Sequence, residues 1–179
     1  MIEVVLPVLD EADAIPVVLA AMPAGFEPLI VDNGSSDGSA EIARRAGARV
    51  IVEPRRGFGA ACYAGLRATR SELVCFMDCD GSFDPAELAT VADPVRAGRL
   101  DLCLGSRRAV AGAWPLHARL ANRALGLELR RRTGVRLTDI GPMRCARRQR
   151  LFPLEPSATR RSPGFAQGAQ DFPGLWRHT

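Results

Sequence analysis

A chain of 179 residues, 47% of them hydrophobic, is long enough for one domain with a buried core and too apolar for global disorder. No stretch approaches the ~20 consecutive apolar residues of a membrane-spanning helix. Met1 runs directly into the apolar stretch 2–6 without a basic leader, so we expect no signal peptide. The five cysteines form no C-x-x-C pair, which favours reduced thiols in a cytoplasmic protein.

The net charge of +4 conceals two halves of opposite sign. Residues 1–101 hold 9 Arg and 16 acidic residues, a balance of −7, whereas residues 102–179 hold 15 Arg and 4 acidic residues, a balance of +11. An acidic half suits divalent cations, and a basic half suits anions such as phosphates. Aromatic residues make up only 6% and do not interleave with the arginines, so we expect no nucleic-acid partner.

Apolar runs and helical segments alternate along the chain from residue 2 to residue 104. The predicted strands are 2–6, 28–31, 49–52, 73–77 and 100–104, and the predicted helices are 12–22, 39–46, 60–69 and 85–97. We expect Pro7 to end the first strand. This order predicts an α/β fold of three layers, with helices on both faces of a mostly parallel sheet whose five strands point the same way.

Two common nucleotide-binding motifs do not stand where they would be expected. The first strand is followed by Pro7-Val-Leu-Asp-Glu11 rather than by G-x-G-x-x-G. The segment Gly57-Phe-Gly-Ala-Ala-Cys62 lacks the third glycine, and a Walker A loop needs a lysine, whereas all 24 basic residues are arginine. These observations disfavour a dinucleotide fold and exclude an ordinary P-loop.

Carboxylates follow three of the predicted strands. Asp10 and Glu11 follow the first, Asp32 follows the second, and Asp78 and Asp80 follow the fourth. Side chains two apart on a strand share a face, so we expect Asp78 and Asp80 to point towards one site beyond the carboxyl end of the sheet. The pair suits Mg²⁺ or Mn²⁺ shared with a diphosphate, although Asp-x-Asp alone also fits a solvated turn, and Asp32 alone also fits a helix cap.

Six segments in order resemble the family 2 glycosyltransferases, which have the GT-A (Rossmann-like) fold, and most of all the polyprenyl-phosphate sugar transferase branch. They are Pro7-Val-Leu-Asp-Glu11, Val31-Asp-Asn-Gly-Ser-Ser-Asp-Gly-Ser39, Arg56-Gly-Phe-Gly-Ala60, Met77-Asp-Cys-Asp80, Leu104-Gly-Ser-Arg107 and Thr138-Asp-Ile-Gly-Pro-Met-Arg144. The resemblance covers roughly residues 2–148, and the six segments together are far more specific than any one of them. Asp10, Arg56 and the run Gly141-Pro-Met-Arg144 depart from the usual family residues.

The resemblance implies a metal-dependent, inverting transfer of a sugar from a nucleotide-sugar, with Mg²⁺ or Mn²⁺ held by Asp78 and Asp80. Asp80 would be the firmer ligand, and Asp139 would lie near the acceptor as a candidate catalytic base. Arg107 and Arg144 would contact phosphates of the donor or acceptor. The implied nucleotide-binding residues are Pro7, Leu9, Glu11, Asp32, Arg56, Gly57, Asp78 and Cys79.

A polyprenyl phosphate is the acceptor that the branch implies, and one segment suits a membrane surface. On a helical projection of residues 115–132, Arg119, Arg123 and Arg130 fall within a stripe of roughly 40° beside several leucines. Such a helix either packs on the sheet with a solvated basic edge or lies on an anionic membrane. We therefore expect a cytoplasmic protein that is peripheral at the inner face of the membrane.

The expected domain is residues 1–150, followed by an irregular tail, 151–179, rich in proline and glycine. Family members continue beyond this point, so the sequence suggests a truncated or frameshifted C-terminal part. Two other functions stay open at this stage. One is an inactive nucleotide-binding remnant, and the other is a nucleotidyltransferase, which would usually show a basic, glycine-rich loop after its first strand.

Overall fold

The computed structural model describes residues 1–105, 131, 141 and 143–152. Six strands lie in this part of the chain: β1 (Ile2–Val8), β2 (Phe26–Asp32), β3 (Arg49–Val52), β4 (Leu73–Phe76), β5 (Leu102–Leu104) and β6 (Arg144–Arg147). The helices are α1 (Ala14–Ala20), α2 (Ser39–Arg45), α3 (Phe58–Ala68), α4 (Leu88–Arg96) and a short α5 (Arg148–Leu151), with a 3₁₀ turn at Pro85–Glu87 before α4. Apart from Arg131, Leu151 and Phe152, the predicted basic helix at 115–132 and the predicted tail at 151–179 fall outside the described residues.

The strands form one sheet in the order β3-β2-β1-β4-β6-β5. β1 pairs in parallel with both β2 and β4, and β2 pairs in parallel with β3. β6 pairs antiparallel with β4 on one side and with β5 on the other, so β1 to β5 all point the same way. The prediction of five codirectional strands is therefore confirmed, but β6 was missed because its sequence, Arg-Cys-Ala-Arg, is not an apolar run.

Helices cover both faces of the sheet, which makes the predicted three layers. Successive side chains of a strand point to opposite faces. On β1, Val4 and Leu6 pack in the larger core with α1, α2 and α4, whereas Val5 packs in a second core with α3. These residues are buried completely, so the sheet is apolar on both sides, as parallel sheets of this kind are.

α3 lies unusually close to β1 and β2 because it carries Gly65. A Cβ atom on Gly65 would stand 2.3 Å from Cγ1 of Val5 and 3.0 Å from Cγ2 of Val31. Glycine thus allows the helix to approach the sheet. The approach fixes where the first turn of α3 begins, beside the carboxyl ends of the strands.

Pro7 does not end the first strand, contrary to the prediction. β1 continues to Val8, and Pro7 stands opposite Val31 of β2. In a parallel sheet the backbone groups of successive residues point in turn to the strand on one side and to the strand on the other. The backbone groups of Val5 point to β4, because the Val5 carbonyl accepts a hydrogen bond from the Met77 N–H. Pro7 faces the same side, but the β4 ladder has already ended at Phe76, so the missing N–H leaves no strand partner unsatisfied.

The helix boundaries follow local chemistry. α1 starts two residues later than predicted, and Pro16 occupies its third position, within the first turn, where a helix tolerates proline. Asp84 caps the 3₁₀ turn by accepting a hydrogen bond from the Ala86 N–H at 2.9 Å. None of the helices in the described part of the chain has the length and apolar character needed to cross a lipid bilayer.

Candidate active site at the carboxyl edge of the sheet

The loops after β1, β2 and β4 meet at the carboxyl edge of the sheet, because these three strands are parallel neighbours. The loop after β1 carries Asp10 and Glu11, and Asp32 is the last residue of β2. Asp78 and Asp80 follow β4. The structure thus brings together at one edge the carboxylates that the sequence analysis placed after the first, second and fourth strands.

The Asp78-Cys79-Asp80 segment is a loop, whereas the sequence analysis placed the two aspartates on one face of a strand. β4 ends at Phe76, so Asp78 and Asp80 do not share a face by strand alternation. Asp78 is half-buried, Cys79 is 2% exposed, and Asp80 is exposed. Oδ1 of Asp80 accepts hydrogen bonds from the backbone N–H of Ser82, at 2.9 Å, and from its hydroxyl. The turn at Gly81, with φ of 77°, lets Ser82 fold back onto Asp80.

Cys79 anchors this loop in the core. Burial, together with the nearby carboxylates of Glu11, Asp80 and Asp78, raises the pKa of its thiol to about 12. The side chain is therefore a neutral thiol at physiological pH and packs in the core as a small hydrophobic residue. It keeps the two flanking carboxylates at the edge of the sheet.

The loop after β1 is held by side chains of the loop after β2. The backbone N–H groups of Asp10, Glu11 and Ala12 donate, at 2.9 to 3.0 Å, to side-chain oxygens of the second loop. The accepting residues are, respectively, Ser35, Ser39 and Asp37. This support allows Asp10 to adopt a left-handed conformation, with φ of 58°, which an unsupported aspartate seldom takes.

Glu11 lies among other carboxylates. Burial raises its pKa, and the charges of Asp80, Asp37, Asp10 and Asp78 raise it further. Within the described residues neither Glu11 nor Asp80 forms an ion pair with an arginine. The edge therefore concentrates negative charge that a bound cation would relieve.

Arg144 approaches this edge from β6. It stands opposite Phe76 of β4 and is half-buried. Burial lowers the pKa of its guanidinium, while attraction to Cys62 and to Asp78 acts in the opposite direction. The arginine therefore contributes positive charge beside Asp78.

The other predicted site residues have mixed positions. Pro7 lies within β1, Leu9 is 44% exposed just beyond it, and Arg56 and Gly57 are exposed in the segment that leads into α3. Nη2 of Arg56 donates to the Gly34 carbonyl at 3.3 Å. Arg107 and Asp139 lie outside the described residues.

Sequence reasoning missed the residues that hold these loops in place. The sequence analysis includes Asn33, Ser35, Asp37 and Ser39 only in the segment Val31–Ser39 that carries the family resemblance, and it assigns none of them a role of its own. Their signal was present in the density of short polar side chains at 32–39, because such side chains bond readily to nearby backbone. The partners lie in other loops and could not be identified from one segment.

Comparison with protein families agrees with this geometry. The family model described as "Glycosyl transferase family 2" matches residues 3–153. The chain belongs to glycosyl transferase family 2. An uncharacterised glycosyltransferase of Mycobacterium tuberculosis is 45% identical over 154 residues, which cover 86% of this chain and 70% of the relative. An undecaprenyl-phosphate 4-deoxy-4-formamido-L-arabinose transferase of Pseudomonas aeruginosa is 32% identical over 84% of this chain and 48% of its own length.

Solved structures share the fold of this chain. Glucosyl-3-phosphoglycerate synthase of Mycobacterium tuberculosis in complex with uridine diphosphate superposes with a TM-score of 0.69 at 26% identity, over 84% of this chain and 58% of that one. The same enzyme with Mn²⁺, UDP-glucose and phosphoglyceric acid gives a TM-score of 0.69 at 25% identity, over 84% and 57%. The family 2 glycosyltransferase chain described here thus spans under three fifths of these solved enzymes.

Proposed function

We propose that the chain binds a nucleotide-sugar at the carboxyl edge of its sheet and transfers the sugar with the help of a divalent cation. The observation that carries this proposal is the convergence of carboxylates from the loops after β1, β2 and β4 on one edge. Family membership supports it, as do similar structures described with UDP-glucose and Mn²⁺ or with UDP and Mg²⁺. We assign the activity to a GT-A domain formed by residues 1–150.

Asp78 and Asp80 would hold Mg²⁺ or Mn²⁺. The available donors are hard carboxylate oxygens, and within the described residues no three His, Cys, Asp or Glu side chains form a complete metal cage. That arrangement fits a cation that takes one or two carboxylates and completes its shell with diphosphate oxygens and water. When bound, the cation supplies charge neutralisation for the leaving diphosphate.

The nucleoside would lie over the ends of β1 and β2. Glu11 and Asp32 would accept hydrogen bonds from ribose hydroxyls and from a base N–H, because carboxylates are strong acceptors. Ser35, Asp37 and Ser39 keep Glu11 in place through the backbone contacts described above. The other nucleotide-lining positions that we assign are Pro7, Leu9, Arg56, Gly57, Asp78 and Cys79.

The acceptor that we propose is a polyprenyl phosphate, with inversion at the anomeric carbon. Curated relatives include undecaprenyl-phosphate sugar transferases, which supports this choice. A phosphate acceptor is already ionised and needs no base, whereas a hydroxyl acceptor would use Asp139. Arg107 and Arg144 would contact phosphate, and the basic stripe at Arg119, Arg123 and Arg130 would hold the protein at the inner membrane face.

Calorimetric titration tests the donor site. The chain should bind UDP or another nucleoside diphosphate more tightly with Mn²⁺ than with chelator, and turnover of the matching nucleotide-sugar should require the metal. Binding without turnover would identify an inactive remnant, and no binding of any nucleoside diphosphate would contradict the proposal.

Product analysis tests the acceptor. Incubation with a labelled nucleotide-sugar and vesicles that contain a polyprenyl phosphate should move label into the lipid fraction, with inverted anomeric configuration by NMR. Label on a small phosphorylated hydroxy acid instead, or retained configuration, would contradict the acceptor or the stereochemistry and leave the donor site standing.

A further inference from the structure

Asn33 joins the ends of three neighbouring strands. It directly follows β2, is 5% exposed, and donates its own backbone N–H to the Val8 carbonyl of β1 at 2.9 Å. Its Nδ2 atom donates to the carbonyls of Glu53 and Arg55, both at 2.8 Å, beyond the end of β3. Its Oδ1 atom accepts the Gly57 N–H at 2.7 Å. One side chain therefore holds both ends of the segment 53–57.

Only a carboxamide can make this set of bonds. The two carbonyls need a hydrogen-bond donor, and the Gly57 N–H needs an acceptor on the same short side chain. Aspartate has the same shape but would place an oxygen against two carbonyl oxygens. Because the side chain is buried, each lost partner would leave a polar group without water to replace it.

The segment that Asn33 holds would form one wall of the proposed nucleoside site. It carries Arg56 and Gly57, and it is tied to the end of β2 by the Glu53 N–H, which donates to the Asp32 carbonyl at 2.9 Å. Gly57 adopts φ of 130° just before α3, a conformation that side chains disfavour, so this turn needs support. Asn33 supplies that support through the Gly57 N–H.

We propose that Asn33 is a positioning residue for nucleotide binding, which sets the distance between Asp32 and the Arg56–Gly57 segment across the base and ribose. The inference rests on the proposed function, since it concerns the same site. Asn33 acts through the 53–57 segment rather than through the metal, because all four of its hydrogen bonds go to protein backbone. Its loss should therefore weaken the nucleoside contacts and leave the contribution of the metal unchanged.

Two variants separate position from charge. Asn33→Asp keeps the shape and adds a negative charge, and Asn33→Leu keeps the branched outline of the side chain, at a larger volume, without charge or polarity. Both should lower UDP affinity about tenfold or more by calorimetry, while the ratio of affinities with and without Mn²⁺ stays as in the wild type. Glu41→Gln, an exposed change on the neighbouring helix α2, is the control and should bind UDP as the wild type does.

A double-mutant cycle tests the route of the effect. If Asn33 acts through the segment that carries Arg56, the losses from Asn33→Leu and Arg56→Ala should not add, because neighbours that share one structure couple. Additive losses would overturn the positioning role. A loss seen only in Asn33→Asp, and abolished by salt, would show a charge effect and would overturn it equally.

Hydrogen exchange on the wild type keeps the inference testable should both Asn33 variants fail to fold. UDP binding should slow amide exchange within 53–58, and unchanged exchange there during demonstrated binding would contradict the inference. Failure of the wild type to bind any nucleoside diphosphate would instead contradict the proposed function. Unaltered UDP affinity in both Asn33 variants would contradict the inference alone.

Discussion

Two glutamates at opposite ends of β1 show how the two ends of the sheet differ. Glu3, at the amino end, is 7% exposed and is surrounded by donors: the backbone N–H groups of Arg70 and Ser71, and the Arg49 guanidinium at 2.9 Å. Glu11, just beyond the carboxyl end, lies among other acids. The protein satisfies the first carboxylate with its own donors, whereas the second lies among like charges.

The pKa directions express the same contrast. Burial alone would raise the pKa of Glu3, but the hydrogen bonds from Arg70 and Ser71, with the charge of Arg49, outweigh it and lower the pKa. For Glu11, burial and the neighbouring carboxylates act together and raise the pKa. A buried acid with a full set of donors indicates structure, whereas an acid whose pKa is raised by neighbouring carboxylates in a strand-end loop indicates a binding site.

The largest effect should come from removing the amino-end acid. Glu3→Ala leaves two backbone N–H groups and Arg49 without their acceptor, so we expect a loss of about 3 kcal/mol or more in the free energy of unfolding. Chemical denaturation measures it. The matched control is Glu27→Ala, the exposed residue directly opposite Glu3 on β2, which should change stability by less than about 0.5 kcal/mol. Equal losses of stability in Glu3→Ala and Glu27→Ala would contradict the structural role of Glu3.

The pH dependence of stability should carry the signature of Glu3. Because its folded pKa lies below its unfolded value, folding favours the ionised form. The contribution is complete above the unfolded value of about 4.5 and is lost as pH falls through the lowered folded pKa. Thermal melts from pH 7 to pH 3 should show less acid destabilisation in Glu3→Gln than in the wild type. The variant is already less stable at pH 7, and it has no carboxylate at position 3 to become protonated as the pH falls. Parallel curves would contradict this account.

A smaller and opposite effect is expected at the carboxyl edge. Glu11→Gln removes one charge from a cluster of like charges, so the metal-free protein should gain stability, by less than about 1 kcal/mol because the groups are partly solvated. The same variant should bind a nucleoside diphosphate more weakly in Mn²⁺. Stability and binding that both fall would show that Glu11 is a structural residue like Glu3.

The sequence predicted most of the sheet because apolar runs mark its central strands. It located β3 at the observed boundaries and identified the loops that carry Glu11, Asp32 and Asp80. It missed β6 because Arg144 and Arg147 flank only two apolar residues, and because an antiparallel strand inserted between β4 and β5 depends on long-range pairing. The prediction that Pro7 ends the first strand was wrong for a related reason, because a strand accepts proline only where the neighbouring strand needs no N–H from it.

The site was predictable to the level of its charged side chains and no further. Carboxylates after strands are visible in sequence, and family motifs fix their order. Asn33 was not recognised, because its side chain binds three backbone groups of residues 53–57, and no local sequence pattern identifies those partners. Asp78 and Asp80 were placed at the correct edge for an incorrect reason, since a loop pinned by Cys79, rather than strand alternation, brings them there.

The central claim is that carboxylates at the carboxyl edge bind a nucleotide through a divalent cation, and Asp80→Ala tests it most directly. The exposed side chain lies outside the core, so the fold should survive. Calorimetry should show UDP binding that no longer improves on addition of Mn²⁺, and any transferase activity should fall by roughly two orders of magnitude or more. Asp32→Ala should instead weaken binding both with and without metal. Unchanged metal dependence in Asp80→Ala would show that the Asp78–Asp80 loop is only a solvated turn, and would contradict the account.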